Sequence, residues 1–106
     1  MATLADFQQL DLRVATVLAA EPHPNADRLL VLRIDLGGEE RQIVAGIRSS
    51  YEPAALVGKL VVVVANLDPA KLRGIKSQGM LLAVRDGERV VLITTDSAVP
   101  AGGKVS

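Results

Sequence analysis

Three basic side chains lie close together in the middle of the chain, in a segment that is unsuited to a hydrophobic core. Lys71, Arg73 and Lys76 fall between a valine-rich run that ends at residue 65 and an apolar run that begins at residue 80. No acidic residue occurs from position 69 to position 85. Because the backbone groups of a polar segment need water or partners, we expect this one to lie at the surface. Its uniform charge predicts a surface that binds an anion.

Composition alone slightly favours a simpler interpretation, in which these cations are solvated and only keep the protein soluble. Aromatic residues are nearly absent, since Phe7 and Tyr51 are the only two. A nucleic-acid site that stacks bases on aromatic rings is therefore not available. Any contact with RNA must depend on charge, hydrogen bonds and shape, which favours a folded RNA over an extended single strand.

Residues that often carry catalysis are present, but their spacing does not support a reaction. His23 is the only histidine and stands between two prolines, so we interpret it as a loop-ordering side chain rather than a metal ligand. The serines have no histidine near them in the sequence. The absence of cysteine excludes thiolate metal sites and cysteine nucleophiles. We expect a protein that is not an enzyme and that uses no cofactor and no metal.

The charge is unevenly distributed along a chain whose formal net charge is zero. Residues 41–85 hold seven cations and two acidic residues, a net charge of +5, so the two flanks together carry −5. Net charge alone argues against a nucleic-acid binder. Its asymmetry instead predicts one basic face on an otherwise neutral protein.

Length and hydropathy predict a single cytoplasmic domain over residues 1–106. A chain of 106 residues is most simply one domain. No apolar run reaches the roughly 18 residues that a transmembrane helix needs. The first residues also lack the basic start and apolar middle of a secretory signal. We therefore expect no membrane partner.

Periodicity and turn signals predict an all-β fold with two short helical segments. A short helix is expected over residues 3–9, where Thr3 and Asp6 have the spacing of a capping box. A helical turn is expected over residues 51–56, with Pro53 near its start. The expected strands span residues 12–20, 28–36, 41–45, 59–66, 80–85 and 90–94. Loops are expected over residues 21–27 and 66–79. The C-terminal extension is expected to be loose, although residues 104–105 can pair with a strand edge.

A helical turn between the third and fourth strands is the feature that selects the fold. A small SH3-like barrel or sandwich has a similar number of strands. The order found here favours the OB-fold, a five-stranded Greek-key barrel that binds oligonucleotides on strands 2 and 3 and on the flanking loops.

Six segments occur in a fixed order along the chain: DLRVATV (11–17), HPNADRL (23–29), DLGGEERQIVAGI (35–47), LVGK (56–59), ANLDPAKLRG (65–74) and SQGMLLA (77–83). Together they resemble the tRNA-binding domain family, over nearly the whole chain. That family includes the C-terminal appendix of bacterial methionyl-tRNA synthetase and small stand-alone, structure-specific tRNA-binding proteins. The resemblance implies an OB-fold, a homodimer formed with help from the N- and C-terminal segments, and non-catalytic binding to the outer corner of the tRNA L shape.

The resemblance also implies which residues bind RNA. They are Arg28, Ser77 and Met80, followed by Asn66, Lys71 and Arg73. The residue types agree with this role. Backbone at Gly79 can approach a phosphate closely. The hydroxyl of Ser77 can donate to a phosphate or a ribose 2′-OH. The side chain of Met80 can make a soft apolar contact with a base.

One segment departs from the family pattern. Members often read NLKPRK where this chain reads NLDPAK, so Asp68 and Ala70 replace two expected cations. Arg73 and Lys76 can compensate from nearby positions. If they do not, we expect low affinity and a helper role, because phosphate contacts supply much of the binding free energy.

Two other functions stay open from the sequence. A related branch of the fold is associated with protein export and binds peptides, and it shares the DF…LDLR opening. This chain keeps the tRNA-type residues Gly46 and Gly79-Met80. A purely structural module that dimerises a synthetase is the third hypothesis. The sequence does not distinguish a stand-alone protein from an excised synthetase domain.

Overall fold

Antiparallel strands make up most of the structure, a computed structural model that describes every residue from Met1 to Ser106. Two short helices, α1 (Leu4–Gln8) and α2 (Pro53–Leu56), accompany them. Neither helix has the length and apolar character that a bilayer crossing requires. The strands are β1 (Leu12–Pro22), β2 (Leu30–Asp35), β3 (Glu40–Ala45), β4 (Leu60–Val64), β5 (Ala70–Leu72), β6 (Ile75–Ser77), β7 (Met80–Leu81), β8 (Ala83–Asp86) and β9 (Arg89–Leu92).

A five-stranded sheet in the order β3-β2-β1-β4-β7 forms the body of the protein. The long strand β1 pairs with β4 through its first half and with β2 through its second half. Its register with β2 shifts between Val17 and Ala19. Such a bulge bends a strand and lets the sheet curl. The result is a half-barrel with an OB-like all-β fold, which confirms the predicted fold class.

The core is aliphatic and lies inside this curled sheet. Strand β4 buries four successive valines, in agreement with its prediction as a strand buried on both faces. Leu56 of α2 is fully buried beneath the barrel, so this one helical turn closes the end of the core. The other large side chains that are completely inaccessible to solvent include Leu30, Leu32, Ile34, Ile43 and Val63.

The segment 66–79 is not the loop that we expected. It contains the hairpin β5–β6, in which Lys71 pairs with Lys76. The hairpin turns at Arg73 (φ 52°) and Gly74 (φ 91°). Two central residues with positive φ define a type I′ turn, which usually carries Asn or Asp before Gly. Because Arg73 occupies the position where Asn or Asp is usual, the sequence analysis did not predict this turn.

Two predicted strand boundaries also differ. Arg28 lies in a turn before β2, because the backbone N–H of Leu29 donates to the carbonyl of Ala26 and strand pairing starts only at Leu30. The predicted strand 80–85 is broken at Leu82. Strand β7 pairs with β4, whereas β8 turns away to pair with β9.

The C-terminal extension completes the sheet beside β1, as expected from the pairing predicted for residues 104–105. Val14 donates to the carbonyl of Gly103, and Val105 donates to that of Leu12, both at 2.9 Å. The carboxylate of Asp11 accepts hydrogen bonds from Arg13 Nε at 3.0 Å and from Lys104 Nζ at 3.1 Å. These two hydrogen bonds, that from Arg13 first, together with the charges of Arg13 and Lys104, hold the pKa of Asp11 below its ordinary value of 3.8.

Replacing Asp11 should therefore remove an acid-sensitive part of the stability. A carboxyl whose pKa is lowered by folding stabilises the native state above its unfolded pKa and loses that effect as the pH falls through the folded pKa. In urea unfolding followed by circular dichroism, wild type and Asp11→Asn should differ at neutral pH and converge below about pH 3.8. Asp68→Asn, at an exposed carboxyl, is the matched control. A difference that stays constant into acid would contradict the expectation.

Candidate nucleic-acid interface

The hairpin β5–β6 presents the cations that the sequence singled out. Lys71 and Lys76 are exposed and directly opposite each other, and Arg73 is exposed at the turn. Like charges that face each other across two strands destabilise the pair. The stability of the hairpin therefore does not explain why Lys71 and Lys76 lie opposite each other. An anionic ligand bound between or beside them would explain it.

Two contacts hold the tip of the hairpin against the loop that follows β1. Arg73 Nη2 donates to the carbonyl of Asn25 at 3.2 Å. His23 is buried, and its Nδ1 accepts the backbone N–H of Asn25 at 2.9 Å. The ring proton is therefore on Nε2, which donates to the carbonyl of Leu72 at 3.0 Å. This arrangement agrees with the loop-ordering role predicted for His23.

This docking brings Arg28 and Arg73 to the same depression. Both side chains line a depression of about 320 Å³, together with Asn25, Asp27 and Leu29. Arg28 is exposed. The structure thus joins a residue of the first loop to the hairpin, although the sequence had placed Arg28 inside a strand.

Ser77 is placed differently from its expected role. Its side chain is only 5% exposed. The hydroxyl oxygen accepts the buried N–H of Val44 at 2.9 Å, and the hydroxyl donates to the carbonyl of Gly79 at 3.0 Å. The proton that was expected to reach a phosphate or a ribose is therefore engaged inside the protein. Ser77 positions β6 against β3 in this structure, and its contact with RNA stays a prediction.

The neighbours of Ser77 join the same two segments, which the sequence analysis missed. Gln42 Nε2 donates to the carbonyl of Lys76, and the N–H of Gln78 donates to the carbonyl of Gln42, both at 2.8 Å. Arg41 Nη1 donates to the carbonyls of Ala65 and Gln78. The types of Arg41 and Gln42 gave no signal for these bonds, because both look like ordinary surface residues on a strand.

The remaining predicted site residues lie around the base of the hairpin. Gly79 has φ +136°, and a Cβ there would lie 3.0 Å from the carbonyl oxygen of Val64, so the position needs glycine for its own packing. Met80 is half exposed. Asn66 is bonded to the N-terminal segment, since its side-chain amide accepts from Asp11 N and donates to Gln9 O. Hydrogen bonds do not connect Asn66 to the cluster of Arg28 and the hairpin.

The two residues that depart from the family pattern are both exposed. Asp68 precedes β5, and Ala70 pairs with Ser77 at the base of the hairpin. The acid therefore lies at the base of the hairpin, while Arg73 lies at its tip.

Comparison with known proteins identifies the family and agrees with the fold. The family model described as a putative tRNA binding domain matches residues 12–104. The methionine–tRNA ligase of Thermotoga maritima is 60% identical over 104 residues, which is 98% of this chain and 16% of the ligase. The ligase of Thermococcus kodakarensis is 53% identical over 100 residues, 94% of this chain and 14% of the ligase. The chain thus spans a small part of these relatives.

Solved structures match over the whole chain. The crystal structure of a MetRS-related protein from Pyrococcus horikoshii has a TM-score of 0.93 at 36% identity and covers 100% of this chain and 98% of that one. The crystal structure of the chaperone CsaA from Bacillus anthracis has a TM-score of 0.90 at 37% identity, with 100% and 99% covered.

The general class is that of OB-like all-β domains, here with a basic hairpin at the surface. Within that class, the chain belongs to the family of putative tRNA-binding domains, related to methionyl-tRNA synthetases and to CsaA proteins. The resemblance drawn from the six sequence segments is confirmed.

Ser77→Ala should destabilise the fold by about 1–3 kcal/mol, because it leaves the buried N–H of Val44 without an acceptor. Urea unfolding at neutral pH measures the loss. Ser49→Ala is the control, since Ser49 is exposed and its side chain makes no hydrogen bond. Equal stability of wild type and Ser77→Ala would show that water satisfies the N–H and that the serine does not hold the two segments together.

Proposed function

We propose that this domain binds folded tRNA without catalysing a reaction, and that the hairpin β5–β6 and Arg28 contact the phosphates. The observation that carries the proposal is the docking of the hairpin onto the first loop through His23 and Arg73, which brings Arg28 and Arg73 to one depression. Because the hydrogen bond to Asn25 already restrains Arg73, that side chain loses less freedom when it binds a phosphate.

The predicted site residues divide into two roles. We propose that Arg28, Lys71, Arg73 and Lys76 meet the RNA backbone and that the half-exposed Met80 makes an apolar contact at the edge of that surface. Ser77 and Gly79 hold the backbone at the base of the hairpin, as their bonds and packing indicate. Asn66 holds the N-terminal segment instead.

The lack of aromatic residues on this surface indicates which kind of RNA it can bind. Neither aromatic residue belongs to the hairpin or the first loop, so bases have no ring to stack on. Recognition by charge and outline suits a structured RNA. We propose the outer corner of the tRNA L shape as the target, with modest affinity because Asp68 and Ala70 replace two cations.

The relatives suggest how such binding is used. This chain covers only 16% and 14% of two methionine–tRNA ligases, and we propose that it does not itself catalyse their reaction. We propose that the domain adds tRNA affinity to a methionyl-tRNA synthetase, either attached to it or acting beside it. That role places the domain in the cytoplasm.

Binding to tRNA should be strong at low salt and fall steeply as salt rises, because phosphate contacts release counterions. Arg28→Glu should weaken binding. Lys71→Ala combined with Lys76→Ala should weaken it and lower the slope of log K against log salt by about 2, since each phosphate contact contributes about 1. Fluorescence titrations at two salt concentrations measure both effects. Lys59→Ala removes an exposed lysine elsewhere and is the control. Equal affinity for tRNA and for an unstructured RNA of the same length would contradict structure-specific binding.

We also propose that the domain functions as a homodimer built around its N-terminal helix. The capping box of Thr3 and Asp6 forms α1, but the helix buries no residue in the single chain. Leu4, Phe7 and Leu10, which are spaced three residues apart, are all exposed. A five-residue helix is marginal by itself, so packing is the expected source of its stability. A second copy of the chain supplies such packing.

The pair of substitutions Leu4→Ser and Phe7→Ser should shift the protein toward monomer in analytical ultracentrifugation, because it removes the apolar side of α1. The unfolding midpoint of the monomer should hardly change, since neither residue is buried in it. Val57→Ser, at an exposed apolar residue after α2, is the matched control. A wild-type protein that sediments as a monomer at all concentrations would refute the dimer.

Binding of unfolded polypeptide is the second candidate function, and the similarity to the chaperone CsaA favours it. A depression of about 300 Å³ on β1 and β2 offers apolar lining from Ala19, Ala20, Val31 and Leu32. We rank tRNA first because of the identity of 60% to a methionine–tRNA ligase over 98% of this chain. Among the solved structures, the MetRS-related protein and CsaA are about equally identical, at 36% and 37%. Competition between tRNA and a reduced, unfolded protein tests the alternative, since only a shared surface would produce it. A purely dimerising module would bind neither.

A further inference from the structure

We propose that the RNA surface continues past Arg28 onto the β8–β9 hairpin, where Arg85 and Arg89 form a second site for the ribose–phosphate backbone. This inference rests on the proposed tRNA binding and adds a site outside the residues assigned to it above. The site is a depression of about 710 Å³ without any hydrophobic lining residue. Arg28, Arg85 and Arg89 line it together with Ser49, Ser50 and Glu88.

Hydrogen bonds to the backbone fix the walls of this depression. Ser50 Oγ accepts the N–H of Val90 at 2.9 Å, and the hydroxyl oxygen of Tyr51 accepts the N–H of Leu92 at 3.0 Å. These bonds attach β9 to the turn before α2. The N–H of Arg48 donates to the carbonyl of Arg28, which attaches the same turn to the first loop. Three separate segments are thus held in one arrangement before any ligand binds.

The guanidinium groups in the depression are only partly neutralised. Arg89 pairs with Asp86 at 2.6 Å, whereas the side chains of Arg28 and Arg85 make no ion pair and no hydrogen bond within the protein. Glu88 is the one carboxylate among the lining residues and opposes an anion. Two unpaired arginines against one carboxylate leave the depression with positive charge. A guanidinium can donate two parallel hydrogen bonds to a phosphate.

The depression is continuous with the first site through one residue. Arg28 lines both the depression that it shares with Arg73 and the one that it shares with Arg85. Arg48 lies along the same path, since its Nη1 donates to the carbonyl of Asp27 at 3.5 Å. A strip of arginines therefore runs from the tip of β5–β6 across the first loop to β8–β9.

A polymer of phosphates fits this strip better than a small anion does. Each arginine is exposed, so a single phosphate would gain little over water at any one of them. A nucleic-acid backbone contacts several cations at once and releases a counterion at each. The absence of apolar lining leaves no place for a buried base, which is consistent with contacts to the backbone alone.

Arg85 offers the cleanest test, because it has no partner that its removal would leave unpaired. Arg85→Ala should weaken tRNA binding about two- to fivefold and lower the salt slope by about 1. Arg85→Lys keeps the charge and should restore most of the slope. Glu88→Gln should act in the opposite direction and strengthen binding. Lys59→Ala is the control, since Lys59 is an exposed cation without an ion pair and lies outside this depression. Unfolding midpoints should stay unchanged for all four variants.

The outcomes separate this inference from the function on which it rests. If Lys71→Ala with Lys76→Ala weakens binding while Arg85→Ala and Glu88→Gln do not change it, the second site is refuted and tRNA binding stands. If wild type does not retard tRNA at low salt, both fail. Inorganic phosphate, compared with chloride at equal ionic strength, separates RNA from a free anion. If Arg85→Ala weakens the binding of inorganic phosphate but leaves the affinity for tRNA and its salt slope unchanged, the depression belongs to a free anion and the proposal is overturned.

Discussion

The barrel depends on a seam of side-chain hydrogen bonds between its two unpaired edges. Strands β3 and β7 end the five-stranded sheet and do not pair with each other. Bonds from Ser77 to Val44 and from Gln42 to Lys76 and Gln78 connect β3 to the segment just before β7. Buried backbone groups without partners cost free energy, and an open edge invites pairing with other chains. The hydrogen bonds of the seam supply partners for backbone groups at these edges, which strand pairing leaves without a partner.

The same seam fixes the position of the basic hairpin. Strand β6 ends at Ser77, so the bonds that close the barrel also hold one end of the hairpin. His23 and Arg73 hold the other end. Two strands of three residues are marginally stable alone, and facing lysines make them less so. The rest of the barrel, which holds both ends of the hairpin, therefore offsets the cost of placing Lys71 opposite Lys76. In this way a protein of zero net charge can present a concentrated positive charge to a polyanion.

Local sequence signals predicted the frame of the molecule well. The valine run predicted a strand buried on both faces, the capping box predicted α1, and the helical turn after β3 selected an OB-like fold. The hairpin β5–β6 was missed because Arg73-Gly74 lacks the Asn or Asp typical of its turn. Arg28 was assigned to a strand because its apolar neighbours continue the alternation, and only the pairing with β1 shows where β2 begins.

The sequence by itself determined most strands of the five-stranded sheet, the excess of cations between residues 41 and 85 and the membership of a tRNA-binding family. Periodicity, charge and motifs of this kind involve residues near one another in the chain. Tertiary structure decided which cations share a surface. Arg28 shares one depression with Arg73 and another with Arg85. The first depression forms when the first loop docks on β5–β6, and the second when the turn before α2 joins that loop to β9. It also decided that Ser77 is buried, because its acceptor role requires a strand more than thirty residues away. Contacts between segments that are far apart in the chain leave no pattern in the local sequence from which they could be predicted.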